Sequence, residues 1–256
     1  MLVLHFGQIS AMDVFCRKYI SAIHGLDIAR TKNYGAWGEL WGMLGVILPL
    51  FFMLGRQSVC MEILQAWGIS GWDDDRNIER LASAAVKHNH YEGAYDDLRV
   101  AAKLLAFLAT PDNAIEKAKF EAWIPAPSAI ADQGKHFFPS FLGLFDVLFL
   151  GCKAYLRLGH EEAAAELARI GISPEQQTVK KSELVSCYSI LGQIAAKRGS
   201  LEDADGHFSN GLKQAKLSRL PMFEILAARD WQRHLLEPTG RDCSAAEKQS
   251  TPHVRG

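Results

Sequence analysis

Four basic residues of this sequence have the type and the spacing to bind an acidic partner. Three of them stand two residues before a residue that breaks a helical pattern, and these are Lys87, Arg157 and Lys197. Lys153 precedes Arg157 by one turn of the same predicted helix. Cationic side chains that share one concave wall would create a positive field and attract an acidic peptide, with Phe149 as an apolar anchor. The alternative is a solvated face, because Lys and Arg are favoured near the end of any helix.

Two other groups carry side chains that can bind metals, and a structural role is favoured for each. The triplet Asp73–Asp75 offers three carboxylates, but no oxygen-rich loop with a central glycine and a distal glutamate follows, as a calcium loop requires. We expect the triplet to cap a helix instead. His88 and His90 have no further ligand close by in the sequence and are interpreted as exposed turn residues. We therefore expect no bound metal.

Catalytic chemistry is not indicated either. Cys187 has no basic neighbour that would activate its thiol, so we interpret it as a packing residue. The sequence contains no GxxxxGK[ST], GxGxxG, HExxH or GxSxG motif. Its net charge of −1 lacks the basic surplus that is typical of nucleic-acid-binding proteins. We predict that the protein is not an enzyme and has no cofactor and no nucleic-acid partner; catalysis through the region Gly134–Phe138 is the weakest alternative.

Cysteine use and hydropathy predict a cytoplasmic protein. The five cysteines lie far apart without a CxxC pair, which favours buried thiols in a reducing compartment over a disulfide framework. No secretory signal stands out. The most apolar stretch, Leu40–Gly55, holds sixteen uncharged residues, fewer than the ~18 that a membrane span needs, and Pro49 interrupts it. A buried, kinked helix is favoured there over a membrane span, although contact with a membrane stays open.

The helices that would position the basic residues are clearest between Tyr188 and Pro221. Apolar residues recur there at helical spacing on both sides of a break at Gly199-Ser200. The segment resembles a tetratricopeptide repeat, whose pattern has an aromatic residue, Leu-Gly, and then Ala with Phe four residues later. The residues that carry the resemblance are Tyr188, Leu191-Gly192, Ala204 and Phe208.

The same turn-centred pattern recurs along the chain, and Gly55 and Asn89 are separated by 34 residues, the period of the family. We predict an all-α fold, a right-handed α-solenoid of about four to six hairpins in a domain over residues 1–237. A capping helix at 222–236 closes it, and a polar tail at 238–256 is predicted to be disordered. The predicted repeats are 1–34, 37–69, 76–108, 111–140 (degenerate), 141–174 and 182–221.

The resemblance implies a non-catalytic scaffold whose first helices line a concave groove for a peptide or protein. One wall of this groove would carry Lys87, Lys153, Arg157 and Lys197. The Lys and Asn by which chaperone-binding members clamp a carboxylate are not matched, since the corresponding positions are Glu79, Ser83, Ser189 and Gln193.

The alternative is a regulatory repeat segment, or a fragment, of a larger signalling ATPase or nucleotide cyclase. The first repeat has no polar capping helix before it. We therefore expect its apolar end to be covered by more chain, by a partner or by a second copy.

Overall fold

The computed structural model describes residues 14, 17–23, 51–52, 55–89, 95–112, 116–135, 147–173, 181–219 and 221–240. Throughout this part of the chain the regular structure is helical and contains no strand, which confirms the predicted all-α class. Residues 17–23 are also helical. No helix within these ranges has the length and apolarity needed to cross a bilayer. Most of the apolar stretch 40–55 and the tail from residue 241 lie outside them.

Eleven α-helices and one π-helical turn follow residue 55 in the described part of the chain. They are α1 (Gln57–Ala66), α2 (Asp75–Asn89), α3 (Tyr95–Ala109), α4 (Lys117–Trp123), α5 (Pro127–Lys135), α6 (Val147–Leu158), α7 (Glu161–Ile172), α8 (Lys181–Lys197), α9 (Leu201–Leu217), α10 (Pro221–Trp231), the π turn (Gln232–Leu236) and α11 (Glu237–Thr239).

Glycine ends three helices in the same way, at positions where the sequence predicts turns. Gly55, Gly159 and Gly199 have φ of 75°, 90° and 80°, in the left-handed region that favours glycine. The amide that follows each glycine donates to a carbonyl five residues back, for example His160 N to Tyr155 O at 2.9 Å. Each is a Schellman motif, which satisfies carbonyls at a helix end and turns the chain. The fourth predicted turn residue, Asn89, is the last residue of α2.

Neighbouring helices in the C-terminal half pack in a regular order. Each helix from α6 to α10 packs against the next one along the chain, and in addition α6 packs on α8 and α8 on α10. The helices α6, α8 and α10 therefore lie side by side. Towards the N-terminus, α3 packs against α1, α2 and α6.

Small residues let these helices approach closely. A Cβ built on Gly192 of α8 would meet the Phe208 ring of α9 at 2.9 Å. Phe208 is 1% exposed, and it belongs to a core cluster that also holds Trp231 and Leu235. A larger cluster spans the earlier helices and includes the face-to-face rings of Phe107 and Phe120, whose centroids are 3.5 Å apart.

The acidic triplet caps a helix at one of its residues. Asp74 precedes α2, and its Oδ1 accepts from the backbone N–H of Asn77 in the first turn at 3.4 Å, so the predicted capping role is confirmed at this residue. The same carboxylate accepts from Ser70 N and Oγ at 3.0 and 2.9 Å. Its pKa lies below the usual value because Asn77 and Ser70 donate to the carboxylate and outweigh its partial burial. In the degenerate repeat, α4 ends at Trp123 and Pro127 opens α5, as proline at a first helical position allows.

The capping helix differs from the prediction in two respects. Residues 222–236 are predicted as one helix with Ile225 facing the core and Arg229, Arg233 and His234 facing outward. Leu226, Trp231 and Leu235 are buried as expected, but Ile225 is 51% exposed, so its inward assignment is wrong. The α-helix also ends at Trp231, and a π turn follows. That turn changes which side chains face the neighbouring helices.

Candidate functional site

A cleft of about 210 Å³ lies where α6, α8, α10 and the π turn meet. Phe149 and Lys153 line it from α6, while Ser189 lines it from α8. The helix α10 and the π turn supply the remaining polar wall, and Phe52 and Gly55 close one side. The cleft thus spans three helices that lie side by side.

Positive charge predominates among the residues that line this cleft. The cationic side chains are Lys153, Arg229 and Arg233, and one carboxylate, Asp230, accompanies them. Burial lowers the pKa of Lys153, and the charges of Arg229 and Arg233 lower it further, whereas Asp230 raises it. A buried ammonium that repels its cationic neighbours gains from any anion that enters, because the anion restores part of its lost solvation.

A hydrogen-bonded chain fixes the position of the lysine. Lys153 Nζ donates to Gln193 Oε1 at 3.2 Å, and Gln193 Nε2 donates to Ser189 Oγ at 3.1 Å. Ser189 Oγ in turn donates to Asp230 Oδ2 at 2.5 Å. This network joins α6, α8 and α10, so the charges on the cleft wall are held by the helices rather than by flexible loops.

Aromatic rings form the apolar part of the cleft. Phe52 and Phe149 meet edge to face with centroids 6.3 Å apart, and Phe223 lines the cleft from α10. Lys153 Nζ lies 5.7 Å from the centroid of the Phe149 ring, within the range of a cation–π contact. Apolar surface and positive charge are therefore adjacent in one small volume.

The π turn brings two of the lining residues, Arg233 and His234, to the cleft. Single π turns within helices are frequent at functional sites, because the wider turn re-aims side chains. Burial lowers the pKa of His234; Asp230 opposes this effect, while Lys153 and the two arginines add to it. The imidazole is thus held towards its neutral form beside three cationic groups.

Sequence reasoning missed the contribution of α10 and the π turn. Residues 229, 230, 233 and 234 fall into two adjacent pairs four apart, which places them on one face of a helix. The sequence predicts Arg229, Arg233 and His234 to face outward and makes no prediction for Asp230. The spacing could have indicated a shared surface, but it could not have shown that α6 and α8 lie opposite.

The structure brings two of the predicted site residues, Lys153 and Phe149, into the cleft. Lys197 instead pairs with Glu161 at the start of α7. The carboxyl of Glu161 has its pKa held below the usual value by the hydrogen bond from Lys197 and by the charges of Lys197 and Arg198. Lys87 belongs to α2, but its side chain lies outside the described part of the structure.

Arg157 binds a different part of the fold. Its Nη1 donates to the carbonyls of Phe107 and Leu108, and its Nη2 donates to the Thr110 carbonyl and to Asp112. The guanidinium therefore caps the C-terminal end of α3, with 13% of its side chain exposed. The same contact lowers the pKa of the Asp112 carboxyl through the hydrogen bond and the charge of Arg157.

Two further lysines pair with carboxylates of the acidic triplet. Lys103 pairs with Asp75, and its ammonium lies 4.7 Å from the Trp123 ring centroid; Lys119 pairs with Asp73 at 3.1 Å. Cys60, Cys152 and Cys187 are buried, and none of these three is in a disulfide. Among the described residues, no group of three or more His, Cys, Asp or Glu side chains is arranged to hold a metal ion. Comparison of the chain with protein-family models, with curated proteins and with solved structures found no match.

Proposed function

We propose that the protein is a non-catalytic interaction module that binds an acidic segment of a partner protein in the cleft between α6, α8 and α10. The observation that carries the proposal is the composition of this cleft. Three cationic side chains and three phenylalanines face one carboxylate there, on helices that hold them in place. A carboxylate ligand would complement the charge, while apolar side chains next to it would cover the rings.

The volume of the cleft favours part of a polypeptide over an enclosed small molecule. Pockets that enclose drug-sized ligands measure ~300–1,000 Å³, whereas this cleft has about 210 Å³. One or two side chains of a partner fill such a space. The rest of the partner would lie across neighbouring helices, where each exposed ion pair contributes only about 0.2–1 kcal/mol.

As part of the same proposal, the chain forms a right-handed solenoid of the tetratricopeptide type with α10 as its cap. Support comes from the packing order, in which alternate helices α6, α8 and α10 adjoin one another. It also comes from the repeated glycine turns. In such an array the first helices of successive hairpins line the concave face, which is where the cleft lies. Buried cysteines without a disulfide suit a reducing compartment, and we place the module in the cytoplasm.

The test is the binding of a labelled Glu-rich peptide, followed by fluorescence anisotropy. Arg233→Glu reverses one exposed charge of the cleft, and Lys216→Glu reverses an exposed charge on α9 that does not line it. We expect Arg233→Glu to weaken binding by about threefold to tenfold, since it replaces an attraction with a repulsion of similar size. Lys216→Glu should change the dissociation constant by less than about twofold.

Salt provides the second measurement. Contacts between charges are screened over ~10 Å at 0.1 M salt, so affinity for the Glu-rich peptide should fall as ionic strength rises. Equal loss in both charge-reversal variants would contradict the proposal, because it would indicate a general electrostatic attraction. Failure of the wild-type chain at low salt to bind either this peptide or a peptide with a single Glu would contradict it directly.

A further inference from the structure

We infer that the cleft selects an acidic residue and an aromatic residue that are adjacent in the partner's sequence. This inference rests on the proposed function, and it specifies the sequence feature of the partner that the same site would bind. The carboxylate would be bound beside Lys153 and Arg233, and the aromatic side chain would pack on the neighbouring phenylalanines.

The first argument is the proximity of the two chemistries. Lys153 Nζ lies 5.7 Å from the centroid of the Phe149 ring, and the Phe52 ring is 6.3 Å from that of Phe149. Successive side chains of an extended strand point to opposite faces, but in a turn the side chains of two neighbouring residues, whose Cα atoms are ~3.8 Å apart, can point to the same side. A carboxylate and a ring on neighbouring residues of a turn can therefore reach both parts of this cleft of about 210 Å³ together.

The second argument is the rigidity of the charged wall. The chain of hydrogen bonds from Lys153 through Gln193 and Ser189 to Asp230 fixes the ammonium on the side of the cleft where Asp230 lies. Asp230 is already the counter-charge of Lys153 in this network. It would therefore repel a second carboxylate of the partner next to the one that is bound. The cleft thus favours one carboxylate with an apolar neighbour over a run of carboxylates.

The third argument is the energetic balance between the two kinds of contact. An ion pair near the surface adds little affinity, because both partners give up favourable hydration. Burial of an aromatic side chain against the three phenylalanines adds more, and it lowers the local dielectric around the charges. The ring should therefore contribute about tenfold or more to affinity beyond the carboxylate alone.

The experiment compares short labelled peptides of equal length, with Gly/Ser flanks, on the full chain. One contains Glu-Phe, a second separates the same Glu and Phe by a Gly/Ser spacer, a third contains Glu-Ala and a fourth Gln-Phe. We expect Glu-Phe to bind about tenfold more tightly than Glu-Ala and than the separated peptide, which lose the ring contact. The advantage over Gln-Phe should be about twofold to fivefold, since only the ion pair is lost. Phe223→Ala should weaken binding of Glu-Phe but not of Glu-Ala. Ile225→Ala, which removes an exposed side chain from the same helix, should weaken neither.

The outcomes separate the inference from the proposed function. Equal binding of the adjacent and the separated peptides would overturn the inference and leave acidic recognition standing. Failure of both Glu-Phe and the Glu-rich peptide to bind would overturn the proposed function itself. A phosphoserine-Phe peptide that binds about tenfold more tightly than Glu-Phe would overturn the choice of a carboxylate, because a phosphate carries more charge and a third oxygen.

Discussion

At the scale of single residues, Arg157 shows how one side chain replaces the missing partners of a helix end. The last carbonyls of a helix have no amide of their own helix to accept from, and here the guanidinium donates to those of Phe107 and Leu108. We expect Arg157→Ala to lower the free energy of unfolding by about 2–4 kcal/mol, since it removes several charge-assisted hydrogen bonds and leaves carbonyls unsatisfied. Urea denaturation would measure the loss.

The control for this prediction is Arg169→Ala, which truncates an exposed arginine in the last turn of α7. Its effect should remain within about 0.5 kcal/mol, as is usual for surface substitutions. Arg157→Lys should recover only part of the loss, because an ammonium cannot reproduce the planar fork of a guanidinium. Equal stability of Arg157→Ala and the wild type would mean that the cap adds nothing.

His234 gives the protein a pH-dependent stability with a definite sign. Its pKa in the folded chain is lowered from 6.5 by burial, so the unfolded chain binds more protons just below that pH. The free energy of unfolding should therefore fall as the pH drops from about 6.5 towards 5. Burial lowers the pKa of His207 as well, which adds to the same slope. In urea titrations, His234→Gln should reduce the loss over this range but not abolish it; an unchanged slope would refute the assignment.

At the scale of helices, we expect alanine substitutions at two glycines of one hairpin to change stability in opposite directions. Gly192→Ala on α8 would push a methyl group against the Phe208 ring, which a built Cβ meets at 2.9 Å. We expect a loss of about 1–3 kcal/mol from overpacking. Gly206 in α9 has no atom within 4 Å of its built Cβ. Gly206→Ala should therefore raise stability by about 0.5–1 kcal/mol, because alanine loses less backbone entropy in a helix.

Thermal and urea unfolding of the two glycine variants would measure this difference. Both substitutions add one methyl group within the same pair of helices, so each is the control for the other. A gain in stability from Gly192→Ala would show that α8 and α9 can separate without cost, contrary to their close approach.

At the scale of the whole molecule, local signals were predictable from the sequence and relative positions were not. Helices and turns are determined by residues that are close in the sequence. Helical periodicity therefore predicts the all-α class, and the glycines at 55, 159 and 199 predict three of the turns. The cleft depends on how α6, α8 and α10 lie together. Lys153 could be identified because it lies one helical turn before Arg157, with Phe149 one turn earlier on the same helix, whereas Arg233 and His234 depend on a helix irregularity that no local pattern revealed.

The roles of the predicted basic residues differ for the same reason. Lys153 and Arg157 are one turn apart on α6, and any periodic argument treats them alike. Lys153 faces α8 and α10, while Arg157 reaches back to the end of α3. Only the packing of the helices on either side distinguishes a lysine in the cleft from an arginine that caps a helix.

The π turn makes chain length, and not only residue type, a determinant of recognition. A π-type hydrogen bond spans five residues where an α-type bond spans four, so Gln232–Leu236 holds an extra residue in its turn. Deleting one residue there would let the α-helix continue, and it would change which side chains of this turn face the cleft. A substitution alters one side chain of the cleft, whereas such a deletion would change which residues of the π turn line the cleft. Close relatives that bind the same ligand should therefore keep the spacing between Asp230 and Leu235 even where their residues differ.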